Sequence, residues 1–179
     1  VDPGTLVDAR FEIVRLAATG GMGAVYEALD RQNGAKVALK VVLSGLGQSS
    51  YDRFVREASL MAELSHPAIV SYVAHGSIAA GAAERDAPSL YLAMEWLQGE
   101  DLSTRLGRAG LLPEEAVSIA IRSAEALAAA HSRGIIHRDI KPSNIFLEHK
   151  DVTRVKLLDF GIAGLAREDR ALTRTGMTV

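Results

Sequence analysis

The sequence predicts an α+β fold in which a β-rich half precedes a mainly helical half. Three observations point that way. Period-two runs broken by glycine and turn residues fill most of the first half, and a helix-period segment lies among them. A long alanine-rich helical segment opened by proline follows in the second half.

The elements follow in order. "RFEIVRLA" alternates as a strand and breaks at "TGGMG"; "AVYEALD" resumes the strand, "RQNG" supplies turn residues, and "AKVALKVVL" is β-rich. Strand, glycine turn, strand, turn, strand is the order of an antiparallel meander. Gly45 and Gly47 loosen the chain, and Ser49 or Ser50 is placed to cap a helix through "YDRFVREASLMAELS". His66-Pro67 is expected to end it, because a residue before proline disfavours helical angles. "AIVSYVAHGSI" and "SLYLAMEWL" read as two more strands, five in all, with the small-residue loop "AAGAAERDAP" between them. "DLSTRLGRAG" reads as a short helix. Pro113 fits the first position of a longer helix that stops at Gly134, and Val117, Ala120, Ala124, Leu127 and His131 follow helical spacing. "MEWLQGED" joins the two halves, and a ligand site is expected in a cleft between them.

Composition narrows the function. With 48% hydrophobic and 23% charged residues the chain is of ordinary globular type. A formal net charge of −2 gives no bulk attraction to nucleic acid or anionic lipid. The absence of cysteine excludes disulfides, thiol catalysis and thiolate metal sites, and fits a reducing compartment. No apolar run approaches the roughly 20 residues of a membrane span, and "VDPGTLVDARFEIV" has no basic region followed by an apolar stretch, so the reading expects no signal peptide.

Three stretches carry chemistry. "ATGGMGAVYEA" sets Gly20, Gly21 and Gly23 between strands, where backbone amides can approach phosphate oxygens; a plain hairpin would use glycine too. In "KVALK", Lys40 ends an apolar run. Phe54, Glu57, Met61 and Leu64 form one stripe of the following helix, so Glu57 falls on an inward face and needs a cationic partner. Lys40 is the candidate; Arg53 and Arg56 compete. The third stretch, "GIIHRDIKPSNIFLEHK", sets His137, Arg138, Asp139, Lys141 and Asn144 between apolar flanks, where charges are costly unless paired or used. A hairpin pairing "NIFL" with "VKLL" would bring Asn144 to Asp159, and oxygen ligands of that kind suit Mg²⁺ bound partly through phosphates.

These pieces, in this order, resemble the protein-kinase signature set, and "GGMGAVYEA", "RFVREA", "LSHPAIV" and "HRDIKPSNI" look most like bacterial serine/threonine kinases of eukaryotic type. The resemblance implies an N-lobe over 1–97, holding the glycine loop, the Lys40 strand and the Glu57 helix. It implies a partial C-lobe over 98–179, holding the catalytic loop, the Asp159-Phe160-Gly161 motif and the start of the activation segment. It further implies that Gly20, Gly21 and Gly23 cover the phosphates of ATP, and that Lys40 holds the α- and β-phosphates, oriented by Glu57. Asn144 and Asp159 would hold Mg²⁺, with Mn²⁺ the alternative ion. Asp139 would take the substrate hydroxyl proton, and Lys141 would neutralise the transferring group. Val25 and Ala38 would roof the adenine, Phe146 and Leu158 floor it, Met94 gate it, Glu95 and Leu97 offer hinge backbone, and Asp101 reach the ribose. Plain core packing is the rival reading of the apolar ones. Met61, Tyr72, His137 and Phe160 would stack as an internal spine, which makes His137 structural. A phosphate on Thr173, Thr175 or Thr178 would pair with Arg138; a polar tail is the rival reading.

The function so implied is serine/threonine phosphorylation of protein substrates, in the cytoplasm or at the cytoplasmic face of a membrane if an anchor lies beyond residue 179, with self-association for autophosphorylation. Two departures stand against it. Ala18 replaces the first glycine of the usual loop, and the sequence stops at Val179 within the activation segment, which suggests truncation. The alternative is therefore a catalytically weak or inert nucleotide-binding module that acts through partners. A small-molecule phosphotransferase is the third reading. With the later helices missing, the apolar faces of "EEAVSIAIRSAEALAAAH" are expected to lack cover.

Overall fold

In the computed structural model the described residues are 1–20, 23–42, 48–78 and 89–160, and they form two compact units. Gly21, the loop at 79–88, Gly161 and the threonines at 173, 175 and 178 lie outside the described residues.

Of the described residues, the first unit comprises those within Val1–Ala62 and Tyr72–Trp96. Its strands are β1 (Leu6–Val7), β2 (Phe11–Gly20), β3 (Gly23–Asp30), β4 (Lys36–Val42), β5 (Tyr72–Ile78) and β6 (Ser89–Glu95), and its helix is α1 (Gln48–Ala62). The strands form one antiparallel sheet in the order β1-β2-β3-β4-β6-β5. The five expected strands are present, and the two-residue β1 adds a sixth by folding back through Asp8 and Ala9, both at positive φ (51° and 50°). The "RQNG" turn closes as its residues suggest: Gly34 N donates to Asp30 O at 2.8 Å and Ala35 N to Asn33 Oδ1 at 2.9 Å.

Alternation sorts the sheet into two faces. Phe11, Ile13, Ala28, Leu39, Tyr91 and Ala93 are buried in one core cluster, where Phe11 meets Tyr91 edge-on at 5.8 Å. Asp30, fully buried at the end of β3, is gripped by Arg10 through Nε at 3.0 Å and Nη2 at 2.7 Å. Helix α1 begins at Gln48, which sets Ser49 and Ser50 within its first turn, and it ends at Ala62, ahead of the proline. Its predicted inward stripe holds: Phe54, Met61 and the following Leu64 are buried, with Ala58 beside them and Glu57 half-buried.

The second unit comprises Glu63–Ser71 and, of the described residues, 97–160. It contains β7 (Gly99–Asp101), α2 (Leu102–Ala109), α3 (Pro113–His131), a 3-10 turn (Pro142–Asn144), β8 (Ile145–Glu148) and β9 (Val155–Leu157). The three strands form an antiparallel sheet in the order β7-β8-β9. The segment before β5 is laced to β9, with Leu157 N donating to Ala68 O (2.8 Å) and Val70 N to Leu157 O (3.1 Å). Pro113 opens α3 as expected. Glu115 accepts from Leu112 N at 2.9 Å, and Gly134 at φ 73° follows the helix end.

The residues whose spacing marked α3 as a helix are not the ones it buries. Ile119, Ser123, Ala126 and Ala130 are buried, whereas Val117 is 57% exposed and Ala120, Ala124 and His131 are also exposed. The helix is apolar around much of its circumference, so two candidate stripes exist, and Ser123 disguises the one that packs. The face carrying Val117 and Ile121 is open, in line with the expected lack of cover.

Candidate active site

In the first unit, strand register gathers four of the candidate residues. Val25 pairs with Lys40 and Lys40 with Leu92; Ala38 pairs with Met94. Directly opposed residues share a face and alternate residues of one strand do too, so Val25, Ala38, Lys40 and Met94 lie together on the face opposite the aromatic core. Lys40 and Met94 are buried, and Val25 and Ala38 are half-buried. Glu57 stands on α1 with its Oε2 shielded from solvent. Glu95 and Leu97, both half-buried, flank Trp96, the last described residue of this unit.

The glycines at the β2–β3 hairpin are not equivalent. Gly20 pairs with Gly23 across the turn. Gly23 adopts φ 143°, and a Cβ there would sit 2.0 Å from Val41 O, so the fold itself demands glycine. Gly20 has nothing within 4 Å of a built Cβ, so packing does not explain it. Ala18 is an exposed strand residue paired with Val25 beside a register shift.

In the second unit the "HRDIKPSN" segment is held from both sides. Its apolar flanks divide: Ile135, Ile145 and Leu147 are buried, but Ile136 and Ile140 are exposed. Asp139 accepts from Lys141 Nζ at 2.7 Å and from Asn144 Nδ2 at 3.1 Å, both at Oδ2, while Asn144 Nδ2 also donates to Asp139 O at 2.8 Å. The three polar residues thus form one connected group. The amide nitrogen of Asn144 is committed to Asp139, which makes its carbonyl oxygen the atom suited to a hard cation.

The expected β8–β9 hairpin is present, and Leu158 N donates to Asn144 O at 2.9 Å just before Asp159. His137, buried, completes the clamp. Asp139 N donates to its Nδ1 at 3.4 Å, so the proton sits on Nε2, which donates to Leu158 O at 2.7 Å. Its ring packs on Phe160 with centroids 4.5 Å apart. Burial pushes the His137 pKa below its ordinary value, keeping the ring neutral. Its contacts are those of a packed, hydrogen-bonded core ring. Phe146 is half-buried on the hairpin face opposite Ile145 and Leu147, across from Lys156, and Leu158 is half-buried. Asp101 N-caps α2, accepting from Thr104 N at 2.9 Å and Thr104 Oγ1 at 2.8 Å.

One feature went unread in the sequence. Buried Glu27, opposite Ala38 and so on the Lys40 face, takes Arg15 at 2.6 Å and Lys36 at 2.8 Å, and Arg15 stacks 5.6 Å over Trp96. Lys36, first among the causes, and Arg15 hold the Glu27 pKa below the ordinary carboxylate value against the desolvation of burial. Only strand register brings these residues together.

A protein kinase domain model matches residues 11–179. The chain belongs to the protein kinase family. It is similar to the serine/threonine-protein kinase PknA of Mycobacterium tuberculosis, at 38% identity over 98% of this chain and 40% of that protein. It is also similar to the DNA damage-responsive serine/threonine-protein kinase RqkA of Deinococcus radiodurans, at 36% identity over 99% of this chain and 26% of that protein. Among solved structures, the PknI kinase domain of M. tuberculosis superposes with a TM-score of 0.78 at 30% identity, over 90% of this chain and 62% of that one. The chain thus spans less than half the length of these curated kinases. No helix among the described residues is long and apolar enough to cross a membrane.

Proposed function

We propose that this chain carries the nucleotide-binding and catalytic residues of a bacterial serine/threonine protein kinase that uses ATP and Mg²⁺. The observation that carries the reading is the connected group Asp139–Lys141–Asn144, tied to Leu158, the residue before Asp159. ATP supplies the reactive phosphoryl bond and the metal supplies counter-charge. Among the described residues no cluster of three or more His, Asp or Glu could hold a metal alone. In this reading Asn144 and Asp159 would hold the ion together with the phosphates.

In this reading residues 1–97 form the nucleotide lobe and 98–179 the beginning of the catalytic lobe. Gly20, Gly21 and Gly23 let backbone amides reach phosphate oxygens, and Lys40, oriented by Glu57, holds the α- and β-phosphates. Val25, Ala38 and Met94 line the adenine with Phe146 and Leu158. Glu95 and Leu97 offer backbone groups to it, and Asp101 is adjacent to the ribose. Asp139 orients the Ser or Thr hydroxyl of a protein substrate and accepts its proton, a contribution of about 10²–10⁴-fold. Lys141 holds the Asp139 carboxylate and neutralises charge on the moving group. Phosphorylation at Thr173, Thr175 or Thr178, including by a second copy, would give Arg138 an anionic partner. A cytoplasmic location suits the ATP requirement.

The test is radiolabel transfer from ATP to a generic basic protein, with Asp139→Asn alongside. The reading expects transfer to fall at least 10²-fold in the variant, and equal transfer by both would remove Asp139 from its role. Ala18 supports a second reading, a nucleotide-binding module of weak activity. ATP-dependent thermal stabilisation without turnover would select it.

A further inference from the structure

Strand register sets one row across the sheet of the first unit. Arg15 on β2 opposes Glu27 on β3, Glu27 opposes Ala38 on β4, and Ala38 opposes Met94 on β6. Directly opposed residues share a face, so the row that holds two adenine candidates, Ala38 and Met94, also holds a carboxylate. That carboxylate belongs to a residue only 4% exposed. A charge in such a place is costly unless it is paired or used. Glu27 is paired on both oxygens, Oε2 with Arg15 Nη2 at 2.6 Å and Oε1 with Lys36 Nζ at 2.8 Å.

The two cations differ in what else they can do. A lysine ammonium is a compact point charge, whereas a guanidinium is a planar fork that can bond at one edge and stack by its face. While Arg15 Nη2 holds Glu27, its Cζ lies 5.6 Å from the centroid of the Trp96 ring. An arginine side chain 58% exposed would sample many rotamers if nothing anchored it. Trp96 lies one residue past β6, whose last rung sets Glu95 opposite Val37. The Arg15 contact therefore falls where the ladder has stopped holding the chain. We propose that Glu27 is a positioning residue: it anchors Arg15 over Trp96 and so fixes the backbone beside that ring, at Glu95 and Leu97, for an adenine ring. The last step rests on the kinase reading, which assigns those two backbones to adenine.

Trp96 is the single tryptophan of the chain, so its emission reports on this contact. Three variants of the 179-residue chain separate positioning from stability: Glu27→Gln, Arg15→Met and Lys36→Met. The last two each remove one ion pair of Glu27 from similarly exposed positions (58% and 60%), but of the two it is Arg15 that reaches the ring. Glu27→Gln and Arg15→Met should shift Trp96 emission to longer wavelength and raise its quenching by acrylamide. The double variant should add nothing further, and Lys36→Met should match wild type. A signal that moves equally in Arg15→Met and Lys36→Met, or that stays unchanged in Glu27→Gln, would overturn the positioning role and leave a cluster that only stabilises. Glu27→Leu, which leaves no polar group at position 27 to satisfy, takes the place of Glu27→Gln should that variant fail to fold. Calorimetric titration then compares ATP with inorganic tripolyphosphate, each with Mg²⁺. Glu27→Gln and Arg15→Met should weaken ATP about tenfold, the size of one lost hydrogen bond, and leave tripolyphosphate unchanged. Equal weakening of both ligands, or unchanged ATP affinity, would overturn the link to adenine. A wild-type chain that binds neither ligand refutes the kinase reading and the adenine step with it, while Trp96 emission still decides whether Glu27 holds Arg15 over the ring.

Discussion

The glycine hairpin offers a way to separate what the fold requires from what a ligand requires. Gly23→Ala places a Cβ 2.0 Å from Val41 O, against the 3.0 Å below which real Cβ atoms essentially never come, at φ 143°. The backbone of β4 must retreat by about 1 Å or β3 must lose its pairing with Val42. Strain at a glycine-only φ and overpacking against backbone together should cost about 2–4 kcal/mol. For a chain of this length that is a fall in Tm of roughly 5–15 °C. Gly20→Ala meets nothing within 4 Å and should change stability by no more than about 0.5 kcal/mol. If Gly20 is there for phosphate approach, its methyl should instead weaken ATP binding, by about tenfold for a blocked hydrogen bond of about 1.4 kcal/mol. Urea denaturation gives the first quantity and ATP titration the second. Equal destabilisation by both substitutions, or unchanged ATP affinity in a folded Gly20→Ala chain, would refute the reasoning.

Asp30→Asn should destabilise by about 3 kcal/mol, the low end for breaking a buried ion pair, because Arg10 keeps partial access to water; denaturant midpoints measure it. Arg10 depresses the Asp30 pKa below the ordinary 3.8, so the stability this carboxylate contributes is full above 3.8 and disappears as pH falls through the depressed value. An acid titration of wild type against Asp30→Asn should converge there. His137 is likewise depressed from 6.5, so its contribution is complete above 6.5 and declines as pH falls below it; His137→Phe should flatten that part of the stability–pH curve, read from urea midpoints. On α3, Ile119→Ala should cost about 2–4 kcal/mol while Val117→Ser stays within about 0.5 kcal/mol, and thermal denaturation of the pair distinguishes the two stripes.

What the sequence made legible were features whose cause is local. The β2–β3 hairpin, the "RQNG" turn, proline at the start of α3 and the β8–β9 pairing are each encoded by a few neighbouring residues with restricted backbone angles or alternating polarity. Features set by register or by a packing partner were not legible. Glu27 looks like an ordinary strand carboxylate until Arg15 and Lys36 are aligned beside it, and the buried stripe of α3 is chosen by what covers it. The chain order likewise hides that Glu63–Ser71, between two elements of the first unit, packs with the second.

The backbone adds a kind of information that residue types do not carry. Among the described residues, six non-glycine residues have positive φ. Four are consecutive pairs, Asp8–Ala9 and His149–Lys150, each in a turn between paired strands, where left-handed angles match the twist of the flanking strands. Arg138 (φ 63°) and Asp159 (φ 58°) stand singly, and neither is in such a turn. A left-handed residue with a side chain costs about 1–2 kcal/mol, so each must be held by its surroundings. The same bonds that hold them gather the polar side chains: His137 Nε2 to Leu158 O precedes Asp159, and Asp139 N to His137 Nδ1 spans Arg138. Strain therefore sits in the two segments whose residues were singled out by chemistry, although nothing in "HRD" or "LDF" as letters announces an unusual angle. A site built for packing alone would have no reason to keep it, and relieving it should move Asp139 and Asp159 before it moves the core.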